Sequence, residues 1–187
     1  MRVISGIAGG IPLVAPKTDL RPTMDRVKGA IFDSLGEAVV GARFLDLFAG
    51  SGALGIEALS RGAVSATLVE KEPRAVESIY SNLTKTRLQG AVVHPLDIFS
   101  FLHKVAVPGG YDFILADPPY AKAKGERDFG VELLSDPALA RALAPGGLFI
   151  LEKLPGAPLP TDKGWELIRE RRYGATEVAY LRLCVVE

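Results

Sequence analysis

Apolar residues along this chain fall into two rhythms that alternate from about residue 44 onward. Phe44-Leu45-Asp46-Leu47-Phe48, Ala66-Thr67-Leu68-Val69-Glu70, Ala91-Val92-Val93, Asp112-Phe113-Ile114-Leu115-Ala116 and Leu148-Phe149-Ile150-Leu151-Glu152 are short, near-continuous apolar runs. The intervening stretches include a helix from the Gly-rich turn after Phe48 to about Arg61, and another from about Pro73 to Leu88. Buried strands alternating with helices predict an α/β fold with a parallel sheet covered on both faces. The tail departs from this rhythm. Trp165 to Arg171 and Glu177 to Val186 are strand-like runs joined only by Tyr173-Gly174-Ala175, which predicts an antiparallel pair, and Pro155 to Lys163 reads as a loop.

The first residues read differently again. Val3-Ile4-Ser5-Gly6-Ile7 and Ile11-Pro12-Leu13-Val14 flank Gly9-Gly10, which predicts a β-hairpin with Pro12 on an edge. Met24, Val27, Ile31, Leu35 and Ala38 then recur at helical spacing behind Thr23, whose hydroxyl suits a helix N-cap. No repeat or low-complexity linker divides the chain. The expectation is one domain over residues 1–187, with a hairpin and helix extension over 1–40 and the core over 41–187.

Composition narrows the partners. The 187 residues are 48% hydrophobic and 24% charged, as in an ordinary globular protein. No run approaches the roughly 18 apolar residues of a membrane span, and the N-terminus lacks a signal-peptide pattern, so a cytoplasmic protein is expected. Basic and acidic residues number 22 each, which argues against a long phosphate-gripping track but leaves room for a local basic patch. Cys184 sits in an apolar run and is expected to be a small core residue. His94 and His103 lack the companions a metal site needs, so no metal is expected.

The candidate chemistry lies at predicted strand ends. Asp46-Leu47-Phe48-Ala49-Gly50-Ser51-Gly52-Ala53-Leu54-Gly55 falls where the first strand turns into a helix, and its glycines allow a ligand close to free backbone N–H groups. Gly50 to Gly55 spells the dinucleotide fingerprint, with Glu70 where a ribose-binding acid belongs, so a dehydrogenase is a rival reading. The carboxylates weigh against it. Asp46, Glu70 and Asp97 would gather at the carboxyl edge of an open sheet, with Phe48, Ser51, Lys71 and Ile98 beside them. An acidic rim suits a cofactor with a sulfonium and no phosphate, and would be a poor cradle for pyrophosphate. Glu70 can accept from both ribose hydroxyls, Asp97 from an adenine amino group, and Asp46 can sit near a cationic methionine end. Taken singly, each could be a solvated loop residue.

Asp117-Pro118-Pro119-Tyr120 closes the fourth run and is the most specific feature of the chain. An exocyclic base amine is a weak nucleophile because its lone pair is delocalised into the ring. The Asp117 carboxylate and Pro118 carbonyl can each accept one amine N–H and localise that lone pair. The prolines hold φ near about −65° and so fix both acceptors. The Tyr120 ring can stack on an extruded base. Such a site works by positioning and electrostatics. The bland alternative is a proline-stiffened loop with a surface acid.

With these residues in view, the chain resembles the RsmD family of bacterial guanine-N2 methyltransferases acting on 16S ribosomal RNA. The resemblance rests on Met1-Arg2-Val3-Ile4-Ser5-Gly6, Arg21-Pro22-Thr23-x-Asp25-Arg26-Val27, Asp46 to Gly55, Asp117 to Tyr120 and Tyr173-Gly174-x-Thr176. It implies a class I, Rossmann-like methyltransferase fold with a seven-stranded, mostly parallel sheet. S-adenosylmethionine is the implied cofactor, ribosomal RNA in a small-subunit particle the implied partner, and a monomer the expected state. Cofactor contacts are implied at Asp46, Gly50, Gly52, Glu70 and Asp97, and catalysis at Asp117, Pro118, Pro119 and Tyr120. Arg21, Thr23 and Arg26 are implied to lie near the active-site entrance. Family members carry several basic residues in the opening hairpin, where this chain has Ile7-Ala8-Gly9-Gly10-Ile11. Lys122 and Lys124, in the charged loop after Tyr120, are the alternative candidates for phosphate contacts. An adenine-N6 methyltransferase and an inactive cofactor- or RNA-binding module remain rival readings, although the intact glycines, acids and Asp-Pro-Pro-Tyr speak against decay.

Overall fold

The computed structural model describes residues 1–15, 23–120 and 126–184, and for Thr23, Met24 and Asp162 the backbone alone. Helix α1 spans Thr23–Leu35, followed by β1 (Arg43–Asp46), α2 (Ala53–Ser60), β2 (Ser65–Val69) and α3 (Pro73–Thr86). Then come β3 (Ala91–His94), α4 (Ile98–Lys104), β4 (Tyr111–Ala116), α5 (Phe129–Ser135) and α6 (Pro137–Ala142). The chain closes with β5 (Leu143–Lys153), β6 (Trp165–Tyr173) and β7 (Thr176–Leu183). The strands form a seven-stranded sheet in the order β3-β2-β1-β4-β5-β7-β6. Neighbours from β3 to β5 run parallel, and β7 runs antiparallel to both β5 and β6.

Alternation along each strand sends successive side chains to opposite faces. Phe44, Leu68, Phe113, Leu115, Ile150 and Tyr180 join one core with Val27, Ile31 and Phe32 of α1, Ile56 of α2 and Ile79 of α3. Leu45, Val69, Ile114, Phe149 and Leu181 join the other, under Phe101 and Leu102 of α4, Leu133 of α5 and Leu139 of α6. Burial on both faces is what makes the strands read as continuous apolar runs. Stacking of Phe44 on Phe113, with ring centroids 4.9 Å apart, ties β1 to β4 at the centre of the sheet.

The N-terminal segment pairs over a shorter span than its apolar pattern predicts. Arg2 bridges Pro12 antiparallel, Val3 N–H donates to the Ile11 carbonyl at 3.0 Å, and Leu13 N–H donates to the Met1 carbonyl at 3.1 Å. Ile7 is not in a strand; it is 87% exposed, in a turn over residues 5–10. Docking on α2 is the reason. The Gly6 backbone lies so close to the Ser60 carbonyl that a Cβ there would sit 1.8 Å from its oxygen, while Ile7 N–H donates to that carbonyl at 2.8 Å.

Two further expectations need correcting. Helix α1 already includes Thr23, so that residue is the first of the helix rather than the cap before it. Cys184 is exposed rather than in the core: β7 ends at Leu183, and the Cys184 N–H reaches only the Gly164 carbonyl, at 2.9 Å. The loop before β6 carries a short 3-10 turn at Thr161–Lys163. No helix among the described residues is long and apolar enough to cross a membrane.

Candidate active site

The same alternation decides what stands at the carboxyl edge of the sheet. On the face covered by α1, the residue after Phe44 and one step on is Asp46; after Leu68 it is Glu70; after Leu115 it is Asp117; after Ile150 it is Glu152. Four carboxylates therefore share one face of four adjacent strands. Glu152 was not among the candidates read from the sequence, although it obeys the same strand-end rule.

Between β1 and α2 the chain makes a tight turn through Gly50, at φ 53°, and Gly52, at φ 80°. Ala49 N–H donates to the Val69 carbonyl at 3.1 Å and Gly52 N–H to the Ala49 carbonyl at 2.6 Å, which fixes the loop against β2. A Cβ on Gly52 would also meet Leu68 at 3.1 Å, so glycine answers both backbone conformation and space there. Glu70 braces the turn: its carboxylate accepts from Gly50 N–H and from Glu72 N–H, each at 2.8 Å. Ser51 is buried, its hydroxyl 3.5 Å from the Met1 sulfur and its carbonyl accepting from Asn82 at 2.9 Å.

Asp46 is 1% exposed. One of its oxygens accepts from Gly55 N–H at 3.3 Å, and the other, Oδ1, has no hydrogen-bond partner among the described residues. Burial pushes its carboxyl up to about 7; the Gly55 N–H opposes this, and the charges of Asp117 and Glu70 add to it. Burial likewise raises Asp117 to about 6. Glu152 is driven well above the ordinary carboxylate range by burial, then by Asp117 and Asp46.

Asp97 serves as a helix cap. Its Oδ1 accepts from Phe99 N–H at 3.0 Å and Ser100 N–H at 3.3 Å at the start of α4. The residue also lines a hollow with Phe48, Glu70, Lys71, Ile98 and Phe129. Phe129 packs edge-on against Phe48, with centroids 5.3 Å apart, and Arg127 lies 4.5 Å over the Phe129 ring. Sequence reasoning missed Phe129, since nothing in its local pattern tells that α5 starts against β1.

The glycine turn and the Asp-Pro-Pro-Tyr segment meet in one open cleft, lined among others by Gly50, Ser51, Glu70, Lys71, Asp117 and Pro119. Pro118 is buried and Pro119 exposed, and the Tyr120 hydroxyl lies 3.0 Å from the Thr176 hydroxyl. That contact joins the segment to the Tyr-Gly-x-Thr turn between β6 and β7. Of the candidates for contact with a large substrate, Arg26 is exposed on α1. Arg21, Lys122 and Lys124 lie outside the described residues, as does the side chain of Thr23. Among the described residues, no cluster of His, Cys, Asp and Glu is arranged to hold a metal ion.

In a dinucleotide-binding dehydrogenase the strands run in the order 3-2-1-4-5-6. Here the reversed β7 is inserted between β5 and β6, and carboxylates rim the cleft where pyrophosphate would have to lie. This is the Rossmann-like architecture of the S-adenosylmethionine-dependent methyltransferases, and the chain is an enzyme of that class. Within the class it belongs to the RsmD family: the family model described as Conserved hypothetical protein 95 matches residues 1–182. Ribosomal RNA small subunit methyltransferase D of Escherichia coli K12 is 37% identical over 182 residues, covering 96% of this chain and 87% of its own. Its Haemophilus influenzae counterpart is 33% identical over 177 residues, covering 93% and 89%. A solved structure of a hypothetical protein from Thermus thermophilus superposes with a TM-score of 0.79 at 34% identity, over 99% of each chain.

Proposed function

We propose that the protein methylates the exocyclic N2 of a guanine in small-subunit ribosomal RNA, acting in the cytoplasm as a monomer on a partly assembled particle. The reading is carried by one observation: the glycine turn lines the same cleft as Asp117 and Pro119. The names of the Escherichia coli and Haemophilus influenzae relatives supply the RNA. Zero net charge favours a particle, where ribosomal proteins add the contacts that the chain itself lacks.

The cleft suits the cofactor on an observation of its own. Asp46 Oδ1 is a buried acceptor without a donor among the described residues, and a buried acceptor of this kind is costly unless a ligand completes it. S-adenosylmethionine, when bound, supplies an electrophilic methyl group on a cationic sulfur. Asp46, Gly50, Ser51 and Gly52 would hold its amino-acid end, Glu70 and Lys71 its ribose, and Asp97, Ile98 and Phe48 its adenine. Asp117 and the Pro118 carbonyl accept the two hydrogens of the target amine and turn its lone pair towards the methyl group. Tyr120, steadied through Thr176, stacks on the base. Arg21, Thr23, Arg26, Lys122 and Lys124 are the proposed RNA contacts.

The core over 41–187 and the extension over 1–40 act as one domain on this reading. Supporting this, Glu57 of α2 accepts from Ile4 N–H at 2.7 Å and Ser5 N–H at 3.0 Å.

Incubation with labelled S-adenosylmethionine and unmodified small-subunit particles, followed by mapping of the labelled nucleotide, tests the proposal. Label on a guanine N2 is expected. Label on an adenine N6 overturns the substrate and keeps the mechanism, and absence of label with the cofactor bound favours a binding module.

A further inference from the structure

Strand alternation that places Asp46 and Asp117 on one face also places Glu152 there, and the mechanism above leaves it idle. We propose that Glu152 selects guanine, its carboxylate accepting the ring N1–H while Asp117 and the Pro118 carbonyl take the two amino hydrogens. This rests on the guanine-N2 reading and names the residue that makes the site specific for it.

Position supports the assignment. Ala116 of β4 pairs with Leu151 of β5, so Asp117 and Glu152 stand side by side one residue further on. Both line a single hollow with Lys28, Ala53 and Leu54. Ala53, Leu54 and Asp117 also line the cleft of the glycine turn, so the two spaces adjoin at Asp117. A base entering the hollow would present its edge to both carboxylates.

The surrounding charges leave Glu152 free for such a ligand. Lys28, the cation of the hollow, is 3.2 Å from Glu57 and 4.0 Å from Asp25, and donates to the Arg2 carbonyl. Lys153, next along β5, is held by Glu177 at 2.6 Å, Glu170 at 2.9 Å and the Ala157 carbonyl at 2.9 Å. Among the described residues Glu152 accepts no hydrogen bond. A half-buried acceptor that lines the hollow beside the proposed reaction centre, without a donor among the described residues, is where a substrate donor can bind.

Base chemistry then makes the choice. Guanine presents N1–H and both N2 hydrogens as contiguous donors along one edge, matching the three acceptors. Adenine and cytosine each place a ring nitrogen lone pair beside the amine, where it would face the Glu152 carboxylate. A site built to receive a hydrogen bond rejects an analogue lacking the donor far more strongly than an apolar pocket rejects a change of size.

Substitution on the base provides the test. Particles are assembled with guanine or 2-aminopurine at the position the wild-type protein labels; 2-aminopurine keeps the 2-amino group and lacks N1–H. Its missing O6 is common to every comparison, so the change in the guanine:2-aminopurine ratio of kcat/KM is what is read. The wild type is expected to prefer guanine at least ~100-fold. Glu152→Ala is expected to bring the ratio within about threefold by losing guanine turnover. Glu152→Gln, whose amide can turn to donate to the bare N1, should narrow it to roughly tenfold by gaining on 2-aminopurine. Calorimetric binding of S-adenosylhomocysteine reports whether each variant is folded with its cofactor cleft intact. A ratio unchanged in a variant that binds S-adenosylhomocysteine overturns the role of Glu152, and if Glu152→Ala fails to bind, Glu152→Gln decides alone. Wild-type label on adenine N6 instead overturns the guanine reading itself.

Discussion

Two of the charged groups among the described residues are built on opposite plans. Glu57 on α2 is fully buried, yet Lys28 at 3.2 Å, Arg61 at 2.8 Å and the N–H groups of Ile4 and Ser5 surround its carboxylate. Asp33 in turn holds Arg61 at 2.8 Å. At the sheet edge, Asp46, Asp117 and Glu152 stand together with no ion pair to a cation among the described residues; burial raises all three carboxyls, and neighbouring carboxylates add to this at Asp46 and Glu152. The satisfied group clamps the N-terminal segment to the core. The unsatisfied group stores an electrostatic deficit that a cationic cofactor and a donor-rich base can relieve. A buried charge that already has its partners holds the fold, and on the proposed reading one without them is where a ligand binds.

Breaking the unsatisfied group at Asp117 should have the largest effect. Asp117→Ala is expected to lower methyl transfer by about 10³-fold or more while cofactor affinity changes by about threefold at most. Turnover close to wild type in that variant would sink the proposed mechanism. Breaking the satisfied group should instead cost stability. Glu57→Ala leaves Lys28 and Arg61 without their shared carboxylate and orphans two backbone donors, a loss of about 3–5 kcal/mol. Urea unfolding would show it, and a loss below about 1 kcal/mol would mean that the clamp is not what holds the segment.

A subtler contrast is one of sign. An acid whose native carboxyl is raised binds more protons folded than unfolded, so its contribution to stability is complete below the ordinary carboxylate range and is lost as pH rises through the native value. For Asp46 that window runs from 3.8 to about 7. Asp46→Asn should therefore stabilise the unliganded protein by roughly 2–4 kcal/mol at pH 8 and by almost nothing near pH 4. An equal gain at both pH values would contradict the account of this group. Cofactor affinity should fall in the same variant.

The smallest effect is expected where the site meets the tail. Thr176→Val removes the hydroxyl 3.0 Å from that of Tyr120 and should lower kcat about three- to tenfold, roughly 1 kcal/mol, with Thr176→Ser restoring it. Equal activity of the Val and Ser variants would show that the contact does not steady Tyr120.

Much of this was legible in the residue order. Apolar runs placed the five parallel strands, and the glycines at 50 and 52 with Asp-Pro-Pro-Tyr at 117–120 located the ends of β1 and β4. The opening hairpin was legible only in part, because Gly6 answers to the Ser60 carbonyl of a distant helix rather than to its own strand. Asp97 could be read as a strand-end acid but not as the cap of α4, which depends on where that helix begins. Phe129 was invisible for a related reason: its partner, Phe48, is 81 positions earlier in the chain.

What the sequence determined by itself is local: period-two burial in the strands, positive-φ turns at glycine, and the place of Asp-Pro-Pro-Tyr just past the end of β4. Strand order and register belong to the tertiary structure. Only when β4 lies between β1 and β5, with Ala116 opposite Leu151, do Asp46, Asp117 and Glu152 become neighbours. The physical reason is range. Alternation and turn chemistry act over a few residues and can be read along the chain, whereas desolvation and repulsion among carboxylates act through space and arise only once the sheet has brought them together.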